Sequence, residues 1–223
     1  MTNKRGKFIT FEGLDGCGKT TQLEKLATAL KREGHEVVIT REPGGTAIGE
    51  KVRAVLLDSR TKGLAPLTEL ALMFASRAQQ IHQVILPALK QGKFVLCDRF
   101  TDSSEAYQGG GRQLGSKAVL QLHKVLCGGL QPDLTLLMVS DAESVHRARK
   151  REGRKRDAGK SDEGRFEMEA GEFYDRVLKA YLAIAQREPS RVAKIEARQS
   201  IAAVHQDIMK AVRKRLPTAT RNS

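Results

Sequence analysis

The sequence has 223 residues, 40% hydrophobic and 29% charged, and its 39 Lys and Arg outnumber its 26 Asp and Glu to give a formal charge of +13. A chain of this length buries roughly three quarters of its unfolded surface and folds without disulfides or a structural metal, and it suits one domain spanning residues 1–223. The charge surplus implies anionic partners (nucleic acid, an acidic membrane surface or phosphorylated small molecules), while the lack of any long apolar run excludes a transmembrane helix and a secretory signal.

Short apolar runs alternate with helical periodicity along the whole chain. Residues 7–12 read as a strand, and a helix follows over 19–33, stopped by Gly34. Residues 37–40 form a second strand. After the turn Pro43-Gly44-Gly45, helical patterns cover 46–57 and 66–90, and Gly92 ends the second. The continuous apolarity of 94–97 predicts a third strand buried on both faces. Gly109-Gly110-Gly111 reads as a loop, 116–126 as a helix and 134–139 as a fourth strand. Helix resumes near Asp141 and again over 166–186. A fifth strand at 192–196 and a last helix at 201–215 complete the pattern. Strands separated by helices predict an α/β fold of three layers, with a parallel sheet covered by helices on both faces. Residues 147–165 stand apart: nine basic and four acidic residues, three glycines and no apolar period. They read as a mobile basic loop between two helices.

Gly13-Leu14-Asp15-Gly16-Cys17-Gly18-Lys19-Thr20 fits GxxxxGK[ST] between a predicted strand and a predicted helix, the context a phosphate-binding P-loop needs. Its glycines let successive N–H groups converge on phosphate oxygens, and the helix N-terminus adds its positive end. This assigns Gly13 to Thr21 to ATP binding, with Lys19 on the outer phosphates and Thr20 on Mg²⁺. Cys17 has two readings: a reactive thiol of lowered pKa among the amides, or a small residue filling a tight turn, which is favoured. The three cysteines, Cys17, Cys97 and Cys127, are odd in number and widely spaced, which predicts reduced thiols and a cytoplasmic protein. Asp98 ends the third strand beside the P-loop, where Mg²⁺ or its waters bind, and Arg99 next to it faces the crevice. Neither a hydrolytic hhhhDE signature nor a guanine-reading NKxD motif is present. The absence of Trp and the scarcity of aromatics count against a single-strand nucleic-acid binder.

Four blocks now decide among P-loop proteins: Phe11 to Thr21, Thr40-Arg41-Glu42-Pro43-Gly44-Gly45-Thr46, the run from Asp98 to Gly109, and Gln131-Pro132-Asp133-Leu134-Thr135-Leu136. In this order and spacing the chain resembles the bacterial thymidylate kinases over nearly its full length. The resemblance implies a five-stranded parallel sheet, a homodimer, and transfer of the γ-phosphate of ATP to dTMP. It implies Lys19, Asp15 and Arg99 as catalytic residues, Arg99 gripping the acceptor phosphate and Arg41 lining the same crevice. The base would meet Phe74, Arg77, Ser104 and Gln108, with Tyr107 under the sugar. Many members of the family separate the aromatic from the arginine by four positions; here Phe74 and Arg77 are three apart. The basic loop, about 150–164, would close over ATP as a lid. With no arginine at Asp15, Gly16 or Cys17, the catalytic arginine would come from that lid, from among Arg151, Arg154, Arg156 and Arg165, with Arg154 and Arg156 favoured. The family's Asp-Arg-x-Glu at the lid's end reads here Gly164-Arg165-Phe166-Glu167, and Val139 stands where the fourth strand often carries Asp. Lid arginines can partly replace one another, so Arg99→Ala is expected to lose more turnover than any single lid substitution. The alternatives are another nucleoside monophosphate kinase and, less favoured, a P-loop protein that binds nucleic acid. Neither a membrane nor a nucleic acid is an expected partner.

Overall fold

The computed structural model describes residues 5–140, 165–169 and 171–216. Five strands, β1 (Lys7–Gly13), β2 (Val37–Arg41), β3 (Phe94–Asp98), β4 (Leu134–Val139) and β5 (Val192–Glu196), form one sheet in the order β2-β3-β1-β4-β5. Every neighbouring pair is parallel. The order reverses at β1, and in such sheets ligands bind beyond the carboxyl ends of the strands at the switch point. Asp98, Arg41 and Gly13 all sit at those ends.

Both faces of the sheet are covered. Helix α1 (Lys19–Arg32) buries Leu23, Leu26 and Leu30 against Ile9, Phe11, Leu96 and Leu136. The last helix adds Val204, Ile208 and Val212 to the same layer. On the other face lie α2 (Ala47–Leu57), α3 (Pro66–Gln80), a π-helical turn (Ile81–Ile85), α4 (Leu86–Lys90) and α6 (Ser116–Cys127). Their core joins Leu70, Phe74, Ile85, Leu89 and Val119 to Phe8, Val95 and Cys97 of the sheet. Between α4 and α6 runs a helical stretch made of α5 (Thr101–Ser104) and a second π turn (Glu105–Gly111). Helices α7 (Gly171–Arg187) and α8 (Ile201–Arg215) flank β5.

The helix expected near Asp141 lies outside the described residues, the one expected over 166–186 starts at Gly171 after a 3-10 turn at Arg165–Met168, and two further segments differ from the sequence-based expectation. The long helix at 66–90 is broken by the π turn, next to Pro87, which lacks an N–H and crowds the carbonyl four residues back. Gly109-Gly110-Gly111 is not a loop but the end of the second π turn. Glycine is required there by packing: a Cβ on Gly111 would stand 2.5 Å from the Phe173 ring of α7, and one on Gly110 2.7 Å from Ala180 Cβ. The absence of side chains lets α7 lie directly on this turn.

His123 of α6 is buried between Phe74 and Phe100, its Nδ1 paired with the Thr101 hydroxyl at 2.9 Å. Burial, and then the charge of Arg77, hold its imidazole down from the ordinary 6.5 to about 4. The unfolded chain therefore takes up this proton first, so the contribution of His123 to stability is lost as pH falls through the range from 6.5 toward 4. Thermal melts across that range are expected to fall more steeply for the wild type than for His123→Gln.

Candidate active site

One cavity of about 810 Å³ opens at the carboxyl ends of β1, β2 and β3. Asp15, Gly16, Gly18, Lys19, Thr20, Thr21, Arg41, Arg77, Asp98, Arg99, Ser104, Tyr107 and Gln108 all line it. Of the P-loop residues, Gly13, Leu14 and Cys17 lie behind this surface rather than on it.

The P-loop end is built for phosphate. Gly18 caps α1 in the left-handed region, φ 89°, which only glycine adopts without strain. No side chain caps the helix and no acid occupies its first turn, so its N–H groups remain open to an anion. Lys19 is buried and its Nζ donates to the carbonyls of Leu14 (2.9 Å) and Gly13 (3.3 Å), which holds the ammonium over the loop. Cys17 takes the packing reading. It belongs to the core beneath α1, and burial raises its thiol pKa rather than lowering it.

Thr20 Oγ1 donates to Asp98 Oδ2 at 3.2 Å, while the buried Oδ1 of Asp98 has no hydrogen-bond partner among the described residues. A carboxylate oxygen and a hydroxyl directed at a phosphate site fit Mg²⁺, which favours one or two protein oxygens plus substrate phosphates and waters.

Arg99 occupies the centre. Its backbone is left-handed, φ 70°, a conformation that costs a non-glycine residue about 1–3 kcal/mol. Its N–H donates to the Phe11 carbonyl at 2.9 Å, which fixes the turn. Nη2 meets Asp15 Oδ1 at 2.5 Å and Tyr107 OH at 3.2 Å, and the guanidinium lies over the Tyr107 ring. Nη1 meets Ser103 Oγ at 3.0 Å and Tyr181 OH at 3.1 Å. Behind these hydroxyls Glu12 is wholly buried, and burial with the nearby Asp102 pushes its carboxyl up to about 8 against the opposing bond from Ser103 and the charge of Arg99. Glu12 and Tyr181 were not singled out from the sequence. The partners of Tyr181, Glu12 and Arg99, lie 169 and 82 positions away, so no local pattern joins them.

A third group surrounds Arg77, which is 1% exposed. Its Nε pairs with Glu42 at 2.5 Å and its Nη2 donates to Ser104 Oγ at 2.9 Å and the Phe100 carbonyl at 3.2 Å. Nη1 is buried with no hydrogen-bond partner among the described residues, and so is Glu42 Oε1. Two orphaned polar atoms on residues that line one cavity point to a polar ligand there. Burial raises the Glu42 carboxyl to about 7 despite Arg77. Gln108 donates from Nε2 to Glu69 at 2.8 Å.

Phe74 is a correction. It is fully buried with Leu70 and Phe100 and supports Arg77 from beneath, the guanidinium 4.6 Å from its ring centroid, but it does not line the cavity. The residue four before Arg77 is Met73, and Met73 does line it. One helical step turns a side chain about a quarter-turn around the axis, enough to move it from pocket to core. Phe74→Ala is therefore expected to cost about 3–5 kcal/mol of stability, read in denaturant melts, whereas Met73→Ala should act on acceptor KM and leave stability nearly unchanged.

Arg41 lines the cavity with its guanidinium on Glu50 at 3.0 Å, more than half exposed. Arg53, missed in the sequence, lines it too and donates to the Pro43 carbonyl at 2.9 Å. Arg151, Arg154 and Arg156 lie outside the described residues. Arg165 is described: it is buried, bonded to Glu69 at 2.7 Å and to the Leu56 carbonyl at 2.5 Å, and is not a lining residue, although Phe166 is. It fastens the Arg165–Met168 segment to α2 and α3.

The decisive comparison is with protein families. Residues 11–208 match the family model described as thymidylate kinase. The chain belongs to the thymidylate kinase family. A thymidylate kinase of Pelotomaculum thermopropionicum is 48% identical over 207 residues, 93% of each chain. One from Desulfovibrio desulfuricans is 50% identical over 194 residues, covering 86% of this chain and 88% of the relative. A crystal structure of thymidylate kinase from Ehrlichia chaffeensis superposes with a TM-score of 0.74 at 34% identity, over 94% of this chain and 99% of that one.

Proposed function

We propose that the chain transfers the γ-phosphoryl group of ATP to dTMP, giving dTDP. The observation that carries this reading is the placing of three groups in one cavity: the P-loop with Lys19, the central Arg99, and the buried Arg77, whose Nη1 has no hydrogen-bond partner among the described residues. The acceptor oxygen of a nucleoside monophosphate is already anionic, so no strong general base is needed. Positioning and charge neutralisation carry the step. Lys19 and the N–H groups of Gly16 to Thr21 hold the ATP phosphates. Arg99 holds the acceptor phosphate, with Arg41 in the same crevice and Asp15 toward the sugar. Arg77 reads a base carbonyl through its Nη1, Ser104 and Gln108 flank the base, and Tyr107 lies under the sugar, where its bulk disfavours a 2′-hydroxyl. Mg²⁺, held by Thr20 and Asp98, supplies charge neutralisation at the phosphates. The chain works as one domain, with the lid at about 150–164 closing over ATP and Arg154 or Arg156 brought to it.

A homodimer in the cytoplasm completes the reading. Leu67 of α3 and Leu120, Val125 and Leu126 of α6 are exposed apolar side chains on two helices packed together, and support a self-association face. All three cysteines are free and buried, which suits a reducing compartment.

Metal dependence tests the site. Asp98→Asn is expected to raise the Mg²⁺ concentration for half-maximal turnover by roughly tenfold or more. An unchanged Mg²⁺ requirement would remove Asp98 from the metal site.

A further inference from the structure

The hydrogen-bond chemistry around Arg99 is asymmetric. Nη1 has two protons, and they go to Ser103 Oγ and Tyr181 OH. Both hydroxyls lie on the same oxygen, Glu12 Oε2, at 2.5 Å and 3.1 Å, and on each other at 2.8 Å. A guanidinium has no acceptor, so Arg99 donates in both bonds however the hydroxyl protons are shared with Glu12. The other oxygen, Glu12 Oε1, takes the backbone N–H of Phe100 at 2.7 Å, the residue that follows Arg99 in the chain. One carboxylate on β1 thus holds the main chain beside Arg99 and, through two hydroxyls from different helices, its guanidinium.

The outer side differs. Nη2 is bonded to Asp15, whose side chain is 42% exposed, and to Tyr107. Glu12, Tyr181 and Ser103 are 0%, 1% and 8% exposed. Glu12 and Tyr181 are closed off in the core, Ser103 lies between them and the cavity wall, and the outer carboxylate stands at the cavity, where another anion can replace it.

We propose that Glu12, acting through Ser103 and Tyr181, is a positioning residue for the phosphotransfer reaction. It clamps the inner amino group of Arg99 so that the outer one exchanges Asp15 for the acceptor phosphate without the guanidinium turning. This rests on the reading of Arg99 as the acceptor-phosphate residue. The clamp brings together β1, the turn after β3, α5 and α7, and gives Tyr181 a part beyond packing. A guanidinium held in one orientation keeps the planar fork that a phosphate needs, and geometric errors of about 1 Å at such a contact cost large factors in rate.

The test uses the full chain with Tyr181→Phe, which keeps the ring, and with Ser103→Ala. Each is expected to raise KM for dTMP or lower kcat/KM for dTMP by roughly tenfold, the effect of losing one hydrogen bond to a charged group, while KM for ATP stays unchanged. Both are then repeated in an Arg99→Ala background, with product measured at high enzyme concentration. The clamp predicts that the effect disappears there, since nothing is left to position. The same fold-loss in both backgrounds, or an equal rise in KM for ATP, would overturn the proposal and leave Ser103 and Tyr181 as packing. If Arg99→Ala alone leaves kcat/KM for dTMP intact, the reading of Arg99 itself fails, a result separable from failure of the clamp.

Discussion

Arg99→Ala is expected to lower kcat/KM for dTMP by roughly a thousandfold, a loss of about 4 kcal/mol of transition-state stabilisation. The expectation rests on how the residue is built in. A left-handed backbone directs the side chain back across the sheet edge, and four hydrogen bonds and an aromatic ring fix it. Asp15, paired with Arg99 at 2.5 Å, balances the charge that the substrate phosphate would meet. Burial opposes the charge of Arg99, but Asp15, Tyr107, Tyr181 and Asp98 raise its pKa well above the ordinary value, so it stays cationic at any working pH. Alanine leaves Asp15 facing the incoming phosphate, which adds repulsion to the lost attraction. Arg99→Lys keeps a charge without the fork and should recover only part of the loss. Steady-state kinetics with each substrate varied will separate these terms, and a wild-type KM and kcat for dTMP in Arg99→Ala would remove the residue from the mechanism.

Lys19→Ala is expected to have the second largest effect, a fall in kcat of about a hundredfold or more, with weakened ATP binding and dTMP binding retained. Lys19 is anchored on the Leu14 and Gly13 carbonyls, at the mouth of the uncapped α1, so its ammonium lies where outer phosphate oxygens must come. Its buried methylene stem packs in the P-loop, and Lys19→Met keeps most of that packing while removing the charge. Calorimetric titration of ATP and of dTMP against both variants distinguishes a lost phosphate contact from a collapsed loop. Loss of dTMP binding along with ATP binding would mean the loop itself had moved.

Much of the fold was legible because its signals are local. Each strand is a short apolar run, and the sheet's parallel order follows from helices standing between them. Gly18, Lys19 and Thr20 declare a phosphate cradle through steric need and charge alone. The π turn at Ile81–Ile85 was not legible, because apolar periodicity at 3.6 residues barely changes when one residue is added to a turn. The assignment of Phe74 to the cavity failed by one position for the same reason: adjacent residues on a helix face different ways, and only the packing of α3 decides which faces the core. The glycines at 109–111 suggested a loop because glycine usually marks one, whereas here they admit α7. The partners of Glu12 come from positions 91 and 169 away, and a one-dimensional pattern has no way of bringing them together. The charge surplus was legible only as a sum. Arg187 and Arg191 turn out to neutralise buried Glu105 and Asp102, a structural use of cations that composition cannot separate from a binding surface.

The central claim is that one cavity brings ATP and dTMP together for direct transfer. The measurement that addresses it most directly is ATP consumption, with product identified, in the presence of dTMP, dUMP, CMP, AMP or GMP and with no acceptor. The account predicts dTDP formation from dTMP with the highest kcat/KM of the set and little ATP turnover without an acceptor. Faster turnover of another monophosphate, or equal ATP hydrolysis with and without dTMP, would contradict it.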